Sequence, residues 1–297
     1  MGFVMELRHL ITFRTIVATG SFTRSADLLG YAQSSITAHV QVLEQELGVP
    51  LFDRIGRQVT LTTAGQRFYS YATKLIALSE EAKAVLSDPQ IPSGTLTIGA
   101  PESLCTYRLP QILRMLRQQW PELRVIFRPG GTNLYERVQH GELDLALVMD
   151  TPHQYPAIIS EALTRERIVL IAHPEHPLRQ ATAITPQQIQ HETLLLTEAG
   201  CAYRVRFEAA WQAAGVAMPE QLEFSSIEAI KQCVIAGMGI AILPAISVER
   251  ELSQVQLVAL DWGGTDLSVI TQIITHAERW RSPALLALIE GARQVVR

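Results

Sequence analysis

From Gln66 to Leu86 the chain contains no glycine or proline, and Phe68, Ala72, Leu75, Leu78, Ala82 and Leu86 recur at three- and four-residue steps. That spacing writes one apolar stripe along a long amphipathic helix. The stripe is too exposed for a single chain to cover, so a second copy of the same helix is expected against it. Thr62 or Thr63 is placed to cap its start. "SDPQIPSG", 87–94, then reads as a linker by composition. Such a helix divides the chain into a short head and a long body.

The head reads as helices with a hairpin. Leu7, Leu10, Phe13, Ile16 and Val17 share one stripe over 6–18. Ser21 opens a short second helix as N-cap, with Phe22, Ala26 and Leu29 inward and Gly30 ending it. A third helix over about 33–46 places Ile36, Val40, Leu43 and Leu47 at spacings of four, three and four. "RIGRQVTLT" follows, a turn signal flanked by Val59 and Leu61, and suggests a small β-wing. This is the winged helix-turn-helix order. With its apolar side fixed, the third helix turns Ser34, Thr37, Ala38, Gln41 and Gln45 outward. A helix entering the major groove needs close approach and short donors and acceptors, and this uncharged face supplies them. His39 is expected near phosphate or at the turn of Glu44.

The body alternates. "TLTIGA", "RVIFRPG" and "LDLALVM" read as strands separated by helices in "RLPQILRMLRQQW" and "NLYERVQHG". A second set starts at "RIVLIAHPEHPL", with strands "TLLLT", "LEFSS" and "IAILP" between helices "RVRFEAAWQAAG" and "IEAIKQCVIAG". "LSVITQIITH" and the helix in "SPALLALIEGARQVV" are free to return to the first set. Alternation of this kind implies mostly parallel sheets. Two lobes joined by two crossings follow, with a cleft at the carboxyl ends of the strands.

Composition narrows the functions. The chain has 297 residues, 47% of them apolar and 18% charged, with no apolar run of the roughly 18 residues that spans a bilayer. A cytoplasmic protein without membrane contact is expected, and Met5 offers an alternative start. Residues 1–74 carry seven basic against five acidic side chains, although the whole chain stands at −4. A mildly basic head on an acidic body suits DNA binding by the head. Cys105, Cys201 and Cys233 show no metal-ligand spacing, and "HPEHP" reads as a structural loop. No G-x-S-x-G, P-loop or G-x-G-x-x-G after a strand is present; "AGMGIA" sits between helix and strand, the wrong order for a dinucleotide loop. An enzyme is therefore not expected, and neither is a cofactor. A transporter's solute-binding protein would show the lobes but needs an export signal and lacks a reason for the head.

"LRHLITFRTIVATGSFTRSADLLGYAQSSITAHVQVLEQELGVPLFDRIGRQVTLTTAG" resembles the head of LysR-type transcriptional regulators nearly throughout, most specifically in "GSFTRSADLL" and "QSSITAHVQVLEQELGVPLFDR". "GELDLALV", "HPEHPL" and "AGMGIAILP" look like landmarks of that family's effector domain. The resemblance implies an α/β fold class: a winged helix-turn-helix over 1–62, a dimerising linker helix over 63–88 and a periplasmic-binding-protein-like domain over 89–297. Lobe I would span about 95–163 and 268–297, and lobe II about 164–267. It further implies a homodimer assembling to a homotetramer on double-stranded promoter DNA, with bending altered by a small-molecule effector, and RNA polymerase as a candidate partner.

The resemblance also assigns residues. The family's base-contacting positions match Gln33, Ser34, Thr37 and Ala38, and many relatives carry arginine where Ala38 stands. Ser35 and Gln41 lie beside them. Arg57 matches the wing arginine and, with Arg54, is expected at phosphate or in the minor groove. Thr23, Arg24, Thr62 and Thr63 are expected as phosphate contacts or caps. For the effector, loops after strands offer Pro101, Glu102, Ser103 and Cys105; Gly131, Thr132 and Asn133; Gly200, Cys201, Tyr203 and Arg204; and Ser225 and Ser226. Hydroxyls and amides at helix starts suit an anion such as a carboxylate, with Arg204 adding charge or else pairing with a neighbouring acid. Cys201 stands one residue from the redox cysteine of the family's peroxide sensors, so a thiol-responsive regulator is the alternative. No second cysteine follows before Cys233.

Overall fold

The computed structural model describes residues 5–55, 58–85, 92 and 94–296, in two compact units taken separately below. The first holds helices α1 (Leu7–Thr19), α2 (Phe22–Leu29) and α3 (Gln33–Leu47), the hairpin β1 (Phe52–Ile55) and β2 (Gln58–Leu61), and helix α4 (Thr63–Val85). Gly20, Gly30 and Gly48 end the first three helices in the left-handed region, with φ of 63, 69 and 71°. Ser21 Oγ accepts the Arg24 N–H at 3.3 Å, as its position as N-cap predicts. Leu10, Phe13, Ile16, Ala26, Ile36, Val40 and Leu43 form the core with Leu51 before the wing, Phe52 at the start of β1, and Ala72 and Ile76 of α4. Phe13 sits at the centre, its ring 5.2 Å from Phe52 and 5.3 Å from Phe68.

Two details fix the wing and α4. Glu44 Oε1 accepts the N–H groups of Leu51 (2.7 Å) and Phe52 (3.3 Å), tying α3 to the start of β1. Thr62 Oγ1 accepts the Gly65 N–H at 2.9 Å and donates to the Pro50 carbonyl, so it is the cap of α4. A Cβ on Gly65 would lie 2.1 Å from the Leu51 carbonyl oxygen, so only glycine lets the first turn of α4 approach this close. The single stripe expected along α4 proves to be two faces. Phe68, Tyr69, Ala72 and Ile76 turn into the head, whereas Tyr71, Leu75 and Leu78 stay 66%, 44% and 59% exposed. Three- and four-residue steps put both faces within one apolar arc, and only the packing of the head separates them. Leu86 and most of the linker at 87–94, like Met1–Val4, lie outside the described residues.

The second unit contains, in order, β3 (Gly94–Ala100), α5 (Glu102–Tyr107), α6 (Leu109–Gln119), β4 (Leu123–Pro129), α7 (Leu134–Gln139), β5 (Leu145–Asp150) and β6 (Ile158–Glu166). Then come β7 (Ile168–Ala172), β8 (Leu194–Thr197), α8 (Ala202–Ala214), β9 (Gln221–Phe224), α9 (Ile227–Ile235), β10 (Ile240–Pro244), α10 (Ala245–Ser253) and β11 (Val258–Leu260). β12 (Val269–His276) and α11 (Pro283–Val295) close the chain. Among the described residues the strands form two five-stranded sheets, β4-β3-β5-β12-β6 and β11-β7-β10-β8-β9. β3, β4 and β5 are parallel, as are β8, β9 and β10, while β12 and β7 run antiparallel to their neighbours. β8 and β10 are buried along their whole length, the mark of sheets covered on both faces.

β12 returns to the first sheet as its sequence allows. β6, α5 and α10 were not legible. β6 is an edge strand with a mixed, half-exposed pattern, and it keeps to the first sheet as far as Glu166, past the expected boundary at 163. Where the chain crosses between lobes, buried Glu166 accepts from Arg108 at 3.0 Å and from the Thr271 hydroxyl at 2.9 Å.

Candidate nucleic-acid face and effector cleft

On α3, Gln33, Ser34, Ala38 and Gln41 are exposed, and Ser35 and Thr37 are half-exposed. Ile36, Val40 and Leu43 anchor the opposite side at 0–1% exposure. The Thr37 hydroxyl donates to the Gln33 carbonyl at 3.0 Å, which leaves its oxygen free to accept. Thr23 and Arg24 are exposed on α2. The Arg54 side chain and all of Arg57 lie outside the described residues. His39 is half-exposed, its Nδ1 2.9 Å from the Thr12 hydroxyl and its ring 5.0 Å from His9 and 5.4 Å from Tyr31. Burial, then the neighbouring His9 and Arg8 charges, lower its pKa.

In the second unit a cavity of about 340 Å³ opens between the two sheets, lined by loops at the carboxyl ends of β3, β4, β5, β8 and β9. Of the expected residues, Pro101, Glu102, Ser103, Gly131, Thr132, Gly200, Cys201, Tyr203 and Ser225 line it. Glu102 does more than line. Its Oε2 accepts the Ile227 N–H at 2.6 Å and its Oε1 the Ser226 hydroxyl at 3.1 Å, so a carboxylate of one lobe closes onto the start of α9 in the other. Ser226 is the cap of α9 rather than a wall residue, its Oγ accepting the Ala229 N–H at 3.4 Å. A Cβ on Gly131 would lie 2.1 Å from Glu198 Oε1, so the lobes also meet at a glycine. Lys231 adds a third contact, donating to the Tyr107 hydroxyl at 3.2 Å while holding Glu251 at 2.8 Å.

Cys105, Asn133 and Arg204 do not line the cavity. The Cys105 thiol donates to the Pro101 carbonyl at 2.8 Å and packs on the first-lobe core, and burial pushes its pKa up to about 12. Burial likewise raises the pKa of Cys201. Both thiols are held in their neutral, poorly nucleophilic form, the opposite of what a redox switch requires. Arg204, expected either at a ligand carboxylate or paired with a neighbouring acid, takes the second role: it is buried and bound to Glu208 and Glu223, each at 2.7 Å, and to the Thr197 carbonyl. Glu223 lies on β9, and the parallel pairing of β8 with β9 brings it there.

Several lining residues escaped sequence reasoning: Tyr135, Glu136, Asp150, His153, Tyr155, Thr197 and Glu198. Asp150 and Thr197 end β5 and β8, so the rule that ligands sit at strand carboxyl ends was the signal available. Tyr135 and Tyr155 stack with centroids 5.0 Å apart and planes at 27°, and His153 lies 5.0 Å from Tyr135. Burial and the Asp150 carboxylate push the Tyr135 phenol well up, so it stays protonated and donates to Asp150. His176 in "HPEHP" accepts the Leu178 N–H through Nδ1 and caps a 3-10 turn.

Two family models match the chain: the LysR-family bacterial regulatory helix-turn-helix protein over residues 7–66, and the LysR substrate binding domain over 89–297. The chain is 43% identical over 292 residues to the uncharacterized HTH-type transcriptional regulator YwqM of Bacillus subtilis, covering 98% of this chain and 99% of that one. It is 31% identical over 290 residues to the regulator GltR of the same organism, covering 97% and 96%. A full-length OxyR variant of Pseudomonas aeruginosa shares the fold with a TM-score of 0.78 at 23% identity, covering 98% of this chain and 96% of that one. CbnR solved with its target DNA aligns at a TM-score of 0.65 and 22% identity, covering 98% and 99%.

Proposed function

The chain belongs to the LysR family of transcriptional regulators, with a helix-turn-helix head and an effector-binding domain, and from that premise we propose that it reads promoter DNA through the outer face of α3. Gln33, Ser34, Thr37 and Ala38 meet base edges, Thr23, Arg24 and the wing arginines meet phosphate, and a small molecule between the lobes sets how the DNA is bent. The exposed Tyr71, Leu75 and Leu78 of α4 pair with a second copy, and two dimers make the tetramer. The observation that carries this reading is the α3 face: solvent-exposed, uncharged, and fixed by a fully buried opposite side. Ala38 cannot donate to guanine, so base choice falls to Gln33, Ser34 and Thr37.

The test is a gel-shift on the DNA upstream of the protein's own gene, with a scrambled competitor. Thr37→Val is expected to lose about 1–3 kcal/mol of preference for the operator while nonspecific affinity stays. Equal losses on both DNAs would sink the base-reading role.

A further inference from the structure

Beside its apolar anchors, α3 is joined to α1 through His39. The His39 Nδ1 lies 2.9 Å from the hydroxyl of Thr12, which is fully buried on α1, and its ring stands 5.0 Å from that of His9, 7% exposed on the same helix. Tyr31, just ahead of α3, meets the His39 ring edge-on at 5.4 Å. Two helices and the turn between α2 and α3 thus make a seat for one imidazole.

The seat suits that imidazole neutral. Partial burial disfavours the charged ring, and so do the neighbouring charges of His9 and Arg8 on α1. The acid that offsets them, Glu6, is itself bound to Arg8. His9 Nδ1 is buried without a hydrogen-bond partner among the described residues, so the seat has little polar surface to solvate an added charge. Two imidazolium rings at this separation would also repel each other.

His39 adjoins Ala38 and stands two residues from Thr37 on the outer face of α3. Hydrogen bonds to base edges weaken steeply with distance and angle, and a reading face needs its groups held within about 0.5 Å. Attraction to phosphate is long-ranged and tolerates a small shift of the helix. Loss of the His39 seat therefore costs base reading more than it costs nonspecific binding.

We infer that His39 is a positioning residue for the base-reading face: neutral, it holds α3 on α1 through Thr12 and His9, and protonated it releases the helix, so that preference for the operator is lost in acid. This rests on the proposed reading of α3 as the base-contacting helix. The preference is full above the ordinary histidine value of about 6.5 and declines below it, and one proton limits the decline to about tenfold per pH unit.

The test is the affinity of the full-length protein for the DNA upstream of its own gene and for a scrambled DNA, at about pH 7.5 and about pH 5.5 and constant salt. The ratio of the two affinities cancels any loss of folded head. It is expected to fall about fivefold to tenfold in the parent and to stay within about twofold in His39→Gln, whose amide still reaches Thr12 but takes no proton. Exchange of the histidine C2 protons for deuterium, read by mass spectrometry, follows each ring in the parent and needs no variant. His39 is expected to titrate lower in the operator complex than on scrambled DNA. An unchanged ratio in the parent, an equal fall in His39→Gln, or a His39 titration raised by the operator, as a phosphate contact would give, overturns the inference. Thr37→Val at the higher pH tests base reading by α3 on its own, so failure of that reading is told apart from failure of the proton dependence.

Discussion

Glu102→Ala removes the carboxylate that joins α5 to the start of α9 across the cleft. The side chain makes one short bond to the Ile227 N–H, 2.6 Å, and one to the Ser226 hydroxyl, 3.1 Å. Hydrogen bonds to a charged group contribute about 1.5–3 kcal/mol when well buried. Glu102 is exposed, so about 1 kcal/mol is the better figure, to which its place at a helix N-terminus adds roughly 0.3–1 kcal/mol. A loss of about 1.4 kcal/mol is tenfold in an equilibrium constant. Hydrogen exchange of the Ile227 amide is the direct assay, because that proton is released only when the latch opens. Exchange is expected to quicken about ten- to thirtyfold in Glu102→Ala and about twofold in Glu102→Gln, which keeps an acceptor but not the charge. The cap of α9 survives in both, since Ser226 still accepts from Ala229. Ile227 exchange within twofold of the parent in Glu102→Ala would show that the contact does not hold the lobes together.

Other expectations follow from the head. Leu75→Glu with Leu78→Glu on the exposed face of α4 should weaken self-association about 100-fold or more, taking about 1.5–3 kcal/mol per leucine returned to water; sedimentation showing an unchanged dimer would move the interface elsewhere. Arg57→Ala should flatten the slope of log affinity against log salt by about 0.9, the release of one phosphate's counterions, and an unchanged slope removes Arg57 from the backbone. The head holds His39 below its ordinary pKa, so the unfolded chain takes up that proton first as pH falls. Stability is therefore full above the ordinary histidine value of about 6.5 and declines below it. His39→Gln should lessen that decline in urea melts between pH 7 and 5, and an identical profile would assign it to other groups.

The head was legible because its signals are local. Ser21, Gly30 and the Ile36–Val40–Leu43 spacing each act within one or two turns, and the folded head keeps all of them. α4 marks the limit of that reasoning. Phe68 and Ala72 share a helical arc with Leu75 and Leu78, and only the position of Phe13 and Phe52 in space decides which pair is buried. In the cleft, the rule about strand ends found the glycines and hydroxyls near Gly131 and Gly200. It missed Tyr135 and Tyr155, because Tyr155 lies in the irregular segment leading into β6, a strand whose charged edge pattern hid it. Which of the two roles open to Arg204 it takes was not legible for a related reason. Its partner Glu223 is distant in sequence and reaches it only through the β8–β9 pairing.

Charge shows how these errors are connected. In the second unit the buried or half-buried cations Arg108, Arg204, Lys231 and Arg279 each face an acid: Glu166, Glu208 with Glu223, Glu228 with Glu251, and Asp144. Burial compels this, because an unpaired charge away from water costs several kcal/mol. The cations are thus held at structural sites at crossings and helix starts. Four acids line the cleft, Glu102 and Glu136 in the first turns of α5 and α7, Asp150 at the end of β5 and Glu198 after β8. A linear sequence shows Arg204 within a candidate ligand loop and leaves open a ligand anion or a neighbouring acid as its partner. The folded chain has already given that arginine to Glu208 and Glu223, so it adds no free charge to the cleft.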